Sequence, residues 1–390
     1  MAMRTNSNSD SPGNTQAGDT TTRFSPKPLR VVLVCGTETL GNLSPVIRHL
    51  TVGLLDEPIQ IFLTCPIDTD TTGIPTPPVQ IIRYRKSFIS LLHNRSIDAL
   101  LEHLSGAGIS LLHALDTDAL GITQKLSARL DLDYIVGVYS LAAHVRNCAT
   151  PTSPAGRRCM AILAGSQPIY QNLLKVRSIP TDIVHLLRPG VHQASEPTCF
   201  VKPDNAVAIV AGGNLDDYKH FAAVLESFTR LRETHHDCIF FLVGQGPAER
   251  RLRELSAKLN LVEDLTFVGY LGPDEINGIL RAADIFLSPR PTDRVEINLL
   301  FAMAAGVPVL AAGAKACDFI IDGQTALTFK PGDASEITAK ITALLDDHAF
   351  AQNLAKTALE YLKENHSPSR MTAQILRLYH SVINRNRPAE

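Results

Sequence analysis

Residues 206–231 read AVAIVAGGNLDDYKHFAAVLESFTRL, and this stretch decides the fold class. Its opening residues are small or β-branched with no polar interruption, the pattern of a strand buried on both faces of a parallel sheet. Gly212 and Gly213 break the run. Beyond them Phe221, Leu225, Phe228 and Leu231 recur at steps of four, three and three, which lays one apolar stripe along a helix. A strand, a glycine turn and an amphipathic helix begin a βαβ unit.

Downstream the unit repeats, because CIFFLVGQG, LTFVGY, DIFLSP and PVLAA predict further strands with helices between them. Upstream the same alternation appears in LRVVLVC from Leu29, PIQIFLTC at 58–65, VQIIRYR at 79–85, SLLHAL at 110–115, DYIVGVY at 133–139, MAILAGS at 160–166 and DIVHLL at 182–187. Most gaps hold roughly 12 to 22 residues of helix-like spacing, enough for right-handed crossovers. Between the two series, RPGVHQASEPTCFVKPDN at 188–205 is polar and proline-rich, a linker. The prediction is an α/β protein with two Rossmann-like doubly wound domains facing across a cleft. Residues 29–195 form the first domain, 196–350 the second, and 351–390 the closing helices. Residues 1–28 are predicted to be disordered, since ordering so polar a tail buries nothing that offsets its entropy.

Composition narrows the function. With 45% apolar and 19% charged residues among 390, the chain has ample material for two cores. Its 37 Lys and Arg against 39 Asp and Glu give a net charge of -2, so no overall field draws nucleic acid, and none is expected as a partner. The 7 cysteines stand singly without metal-ligand spacing, which predicts no metal site and a reducing, cytoplasmic setting. No apolar run reaches the roughly 18 residues of a membrane span, and the N-terminus has no apolar leader.

Three strand-to-helix loops could carry chemistry, because ligands of open α/β sheets lie beyond the carboxyl ends of strands. The first runs from Ala211 through Gly212, Gly213 and Asn214 to Lys219. Its glycines admit close backbone approach, its helix start offers free N–H groups, and Lys219 adds a charge, all suited to a phosphate. Gly244-Gln245-Gly246-Pro247 is the second, where paired glycines could admit a flat nucleobase. The third is SPRPTDRVEINLLFAMAAGVPVL at 288–310, whose helix is closed by Gly306 and would aim its N-terminal turn at an anion. Each glycine pair reads equally well as a tight turn.

Taken in order, the Gly-Gly loop, VGQGPAERRLREL, LTFVGYLGPDEI, AADIFLSP and AMAAGVPVLAAGA over residues 205–345 resemble the donor-binding half of GT-B glycosyltransferases, family 4 of the retaining enzymes. The first half is similar to the acceptor-side domain more loosely, through its strand order, ILAGSQPIYQNLLKVRSIP and RPGVH. The resemblance implies a nucleotide-sugar donor as substrate, no resident cofactor and no metal.

It also implies roles for particular residues. Lys219 falls where the family holds the donor diphosphate, whereas the Arg partnering it there is Asn214 here. The family's two glutamates, eight positions apart, fall on Asp293 and Phe301, and a histidine near the sugar falls on Tyr139. Losing a charged phosphate contact and a ribose contact implies a donor affinity about a hundred- to ten-thousand-fold lower. Glu296 is the candidate to replace the lost carboxylate, and Arg290 and Arg294 the missing Arg.

The expected catalytic groups are therefore Asp293, Lys219 and Glu296. The expected donor-binding groups are Gly212, Gly213, Asn214, Gly244, Gly246, Arg290, Arg294, Asn298 and Phe301, with His113 and Tyr139 on the acceptor side. The leading expectation is a divergent hexosyltransferase acting with retention on an unidentified glycan, lipid or small molecule. An inactive GT-B scaffold that binds or regulates is the alternative, and a sugar-nucleotide epimerase ranks third. Oligomeric state and peripheral membrane association through an amphipathic face are left open.

Overall fold

The computed structural model describes residues 28–385 apart from 38, 86–89, 144, 146–150, 153–155, 193–201, 204–205 and 236. The expected disordered tail lies outside the described residues.

The first half contains β1 (Leu29–Val34), α1 (Thr39–Gly53), β2 (Ile59–Pro66), β3 (Gln80–Tyr84), α2 (Ser90–Leu104), β4 (Leu111–Ala114), α3 (Leu120–Leu130), β5 (Tyr134–Val138), β6 (Cys159–Ala164), α4 (Gln167–Leu174) and β7 (Val184–Leu186). Its strands form one parallel sheet in the order β3-β2-β1-β4-β5-β6-β7. Val31 to Val34 and Tyr134 to Val136 are all 0% exposed, as the continuous apolar runs require of strands covered on both faces. Two connections depart from expectation. No helix occurs among the described residues between β2 and β3, where IDTDTTGIPTPPV is too rich in Pro, Gly and Thr to hold one, or between β5 and β6.

The second half contains β8 (Val207–Gly212), α5 (Tyr218–Thr234), β9 (Cys238–Val243), α6 (Glu249–Lys258), β10 (Leu265–Gly269), α7 (Pro273–Ala282), β11 (Ile285–Ser288), α8 (Ile297–Ala304), β12 (Val309–Ala312), β13 (Leu327–Phe329) and α9 (Ala334–Asp346). These strands are also parallel, ordered β10-β9-β8-β11-β12-β13. The stripe Phe221, Leu225, Phe228 and Leu231 on α5 is buried at 0% exposure, and Phe228 stacks on Phe240 of β9 at 4.1 Å between ring centroids.

Two helices close the chain, α10 (His348–Asn365) and α11 (Pro368–Arg385), and α11 returns to the first sheet. Tyr379 on α11 reaches His113 on β4, and the His366 ring between the two helices bonds the Pro189 carbonyl through Nδ1 at 2.8 Å. Strand order reverses between β1 and β4 in one sheet and between β8 and β11 in the other. Those reversals are where an open α/β sheet parts its loops to admit a ligand.

Candidate active site between the two sheets

At the first reversal, Asp116 lies two residues beyond β4, and Thr39 opens α1. The Thr39 hydroxyl donates to Asp116 Oδ1 at 2.7 Å and accepts from the Gly36 amide at 2.7 Å, while Asp118 and Ala119 amides also donate to Asp116. Burial pushes the Asp116 carboxyl up, partly offset by the Thr39 bond and by the charge of Arg294 from the other half. Tyr139, at the end of β5, lays its ring over Gly137 and Gly165. A Cβ on Gly165 would stand 2.5 Å from that ring, so the glycine is what admits it. Burial first, then the charge of Asp116, raises the Tyr139 hydroxyl. Tyr139 therefore stands one strand from the first reversal.

The loops flanking the second reversal are tied to each other. Arg290, after β11, donates to Asp216 Oδ2, after β8, at 2.7 Å. This ion pair leaves the guanidinium about one-third exposed and already engaged. Glu296 immediately precedes α8, makes no side-chain capping bond, and is mostly enclosed. Burial raises its carboxyl, against the pull of a Thr292 hydrogen bond and of the Arg290 and Arg294 charges. Asn298 lies half-buried in the first turn of α8, while Asp293 and Asn214 are exposed. Lys219 is exposed on the first turn of α5 and lays its side chain along Gly332, after β13.

Three expectations need correcting. Gly244 and Gly246 are glycines for the sake of the neighbouring loop, and the space beside them holds backbone in place of a nucleobase. A Cβ on Gly244 would sit 2.0 Å from the Gly213 carbonyl and one on Gly246 2.5 Å from Leu215. The loops are also bonded, Leu215 N to Gln245 O at 3.0 Å and Ala248 N to Leu215 O at 2.8 Å. Gly213 (φ 144) and Gly244 (φ 138) meanwhile have backbones that favour glycine. Gly212 is buried with Phe286 over it.

Phe301 is 2% exposed within the apolar core, so it faces away from any ligand; a phenyl ring on α8 gains more from that burial than from solvent. His113 is a core residue and no wall of the acceptor side. It is 3% exposed, its Nδ1 lies 2.7 Å from the Tyr379 hydroxyl, and burial pushes its pKa down to about 3.

The two halves meet directly. Val295 N donates to Tyr139 O at 2.9 Å and Leu141 N to Asp293 O at 2.8 Å, with Ser140 and Arg294 paired antiparallel between them. A second junction sets Asp318 Oδ2 against Arg188 Nη2 at 2.7 Å, Arg188 Nε at 3.2 Å and Gln167 N at 3.2 Å. A cleft of about 620 Å³ opens beyond β1, β2 and β3. Its walls include Thr37, Leu40 and Asp70 on one side and Gln245 and Tyr270 on the other. Lys219 and the start of α8 do not line it.

Sequence reasoning missed Asp116, although an Asp directly after a strand and ahead of a helical turn is a capping signal. It also missed the Arg188–Asp318 junction and Tyr270, for which only their places in RPGVH and VGYLGPDEI gave any hint. No helix among the described residues is long and apolar enough to cross a membrane.

The second half matches a family model described as glycosyl transferases group 1, over residues 198–361. This is a likeness of the second half alone. The glycogen synthase of Mycobacterium tuberculosis is 27% identical over 181 residues, 46% of this chain and 44% of that enzyme; the match thus spans less than half of that relative. Among solved structures, a glycosyltransferase from Rickettsia africae superposes with a TM-score of 0.73 at 16% identity, covering 93% of this chain and 100% of that one. The HepE protein of Anabaena, in complex with UDP and glucose, gives 0.72 at 15% identity, with 90% and 99% covered. The architecture of the chain is GT-B.

Proposed function

We propose that the protein transfers a hexosyl group from a nucleotide-diphosphate-sugar donor to an acceptor hydroxyl, with retention at the anomeric carbon. The observation that carries this reading is the joining of the β8 and β11 loops by Asp216 and Arg290, in a half that matches the glycosyl transferases group 1 model. HepE, of the same architecture and solved with UDP and glucose, supports this reading.

In this reading the donor diphosphate lies over Gly213 and the first turn of α8, whose unpaired N–H groups carry partial positive charge. Lys219 swings from Gly332 to add a full charge. The bond from the anomeric carbon to the β-phosphate oxygen breaks, the acceptor oxygen bonds to that carbon, and its proton passes to the departing diphosphate. Stabilising charge on the leaving group is the main catalytic task. Glu296 and Asp293 face the sugar, and Tyr139 donates from the acceptor side. Lys219 and the N-terminus of α8 supply the positive charge that offsets the diphosphate.

Titration calorimetry with UDP-glucose and GDP-mannose tests the reading. Binding at submillimolar concentration, weakened about tenfold or more by Lys219→Ala, is expected for a lost charge-assisted phosphate contact. Absence of heat from both donors at millimolar concentration contradicts it. A second reading, an inactive scaffold, is favoured by the direct Tyr139–Val295 bond and by the buried Phe301. It predicts donor binding with neither transfer nor donor hydrolysis.

A further inference from the structure

The ladder between β1 and β2 runs one residue past the end of β1. Registered pairs run from Leu29 beside Ile59 to Val34 beside Thr64, and the Cys35 amide donates to the Thr64 carbonyl at 2.8 Å. In a parallel pair that bond sets Cys35 directly beside Cys65. On the other side of β2, Cys65 is registered with Arg83 of β3. Register mates point to one face of a sheet, so two thiols and a guanidinium stand in a row across adjacent strands. Cys159 and Cys238 instead face Tyr134 and Val207.

Both thiols of the row are free and buried. Neighbouring strands lie about 4.8 Å apart, inside the roughly 4.4 to 6.8 Å between Cα atoms that a disulfide spans. The nearness of the two sulfurs shows in the Cys35 thiol, which burial first, and then Cys65 and Asp116, push up. The Cys65 thiol is pushed up by burial and drawn back by the charge of Arg83. Cys65 thus has the neighbouring cation that favours a thiolate, the attacking form. Arg83 is exposed, and Pro66, next to Cys65 in the chain, lines the open cleft, so a small oxidant reaches the row from that end. A bridge must also pull the Cβ atoms to roughly 3.8 Å, closer than the strand spacing, which leaves it strained and readily reduced.

We propose that Cys35 and Cys65 form a reversible disulfide on contact with hydrogen peroxide, with Cys65 the attacking thiol and Cys35 the resolving one. The Cys65 sulfur attacks the peroxide, the O–O bond breaks, and one water leaves as Cys65 becomes a sulfenic acid. The Cys35 sulfur then attacks the Cys65 sulfur, the S–S bond forms, the S–O bond breaks and a second water leaves. Two thiols lose two electrons and two protons to the peroxide, and a thiol such as glutathione returns them. This holds whether or not the protein transfers a sugar.

The test is peptide mass spectrometry, without reductant, on the whole protein exposed to hydrogen peroxide. A Cys35–Cys65 cross-link is expected ahead of any other cysteine pair, and glutathione should reverse it. Cys35→Ser should leave a sulfenic acid on Cys65 that dimedone captures, whereas Cys65→Ser should leave Cys35 unlabelled. Arg83→Gln should slow cross-linking by about threefold, because a roughly tenfold loss of thiolate is partly offset by a more nucleophilic sulfur. Arg83→Lys should restore most of the rate. No cross-link in the unaltered protein, an equally fast one elsewhere, or one that glutathione leaves intact overturns the proposal. So does dimedone on Cys35 in Cys65→Ser, or an Arg83→Gln rate equal to that of the unaltered protein. The cross-link itself is read without any variant, so a substitution that misfolds cannot hide its absence.

Discussion

The amide of Val295 donates to the carbonyl of Tyr139 at 2.9 Å, joining the entrance of α8 in one sheet to the end of β5 in the other. With the return bond from Leu141 N to Asp293 O at 2.8 Å, it makes a short antiparallel pair between segments about 150 residues apart in sequence. The loop that carries Asp293, Arg294 and Glu296 is therefore shaped by both halves, and a sugar at this point must enter beside the seam or part it.

Val295→Pro removes the donor while keeping an extended conformation compatible with the residue before a helix. Hydrogen exchange at the Leu141 amide should accelerate by about tenfold or more relative to the unaltered protein, the scale of one net hydrogen bond of about 1 to 1.5 kcal/mol. Unchanged protection at Leu141 would show that the pair opens independently.

The Arg188–Asp318 junction should be stronger than a surface ion pair, because its side chains are only 21% and 13% exposed. Arg188→Ala leaves the Asp318 carboxylate with the Gln167 amide as its remaining bond on Oδ2. A loss of about 1 to 3 kcal/mol in urea unfolding is expected. The double variant with Asp318→Asn should cost less than the sum of the two single changes, as partners in one interaction do. Additive losses would contradict the coupling.

Phe301→Glu puts the family's carboxylate back into the sequence, yet the position is 2% exposed in the apolar core. The outcome should be a protein destabilised by on the order of 3 kcal/mol, with no gain in donor affinity, because an unpaired carboxylate would be buried. Thermal melting and calorimetry with UDP-glucose check this together. Improved binding at unchanged melting temperature would show that α8 can rotate to present position 301.

Acid should weaken the fold through histidine. Burial holds His113 at about 3 and His49 and His366 at about 4, against 6.5 for each ring in the unfolded chain. Between pH 6.5 and those values the unfolded chain binds more protons, so stability falls as pH falls. The raised Asp116 and Glu296 carboxyls act in the opposite sense, because the folded state takes their protons first. His113→Asn keeps a partner for the Tyr379 hydroxyl and removes one titration. Its melting temperature should fall less than that of the unaltered protein between about pH 7 and about pH 5. Equal falls would show that His113 takes no part.

Strands were legible wherever burial on both faces wrote an unbroken apolar run, as in LRVVLVC and AVAIVAGG. The strand β13 was not, since three residues, LTF, carry no period to recognise. Glycine was legible as a special backbone site but not in its purpose: Gly244 makes room for the Gly213 carbonyl, a partner about 30 residues away in sequence. Phe301 and His113 show the same gap. Motif alignment gives a position along a helix or strand, while the direction a side chain faces depends on which neighbours fill the space around it. The place of Tyr139 at the carboxyl end of β5 was legible, because the apolar run DYIVGV marks where the strand stops.

The most direct test of the account is the position of the diphosphate in a crystal of the protein grown with a UDP-sugar. The account predicts phosphate oxygens within hydrogen-bond reach, about 2.7 to 3.2 Å, of the Gly213 or Asn214 amide and of the first-turn amides of α8, with Lys219 moved off Gly332 to meet them. A diphosphate bound elsewhere on the chain, or those amides left without it while the nucleotide is present, would contradict the account.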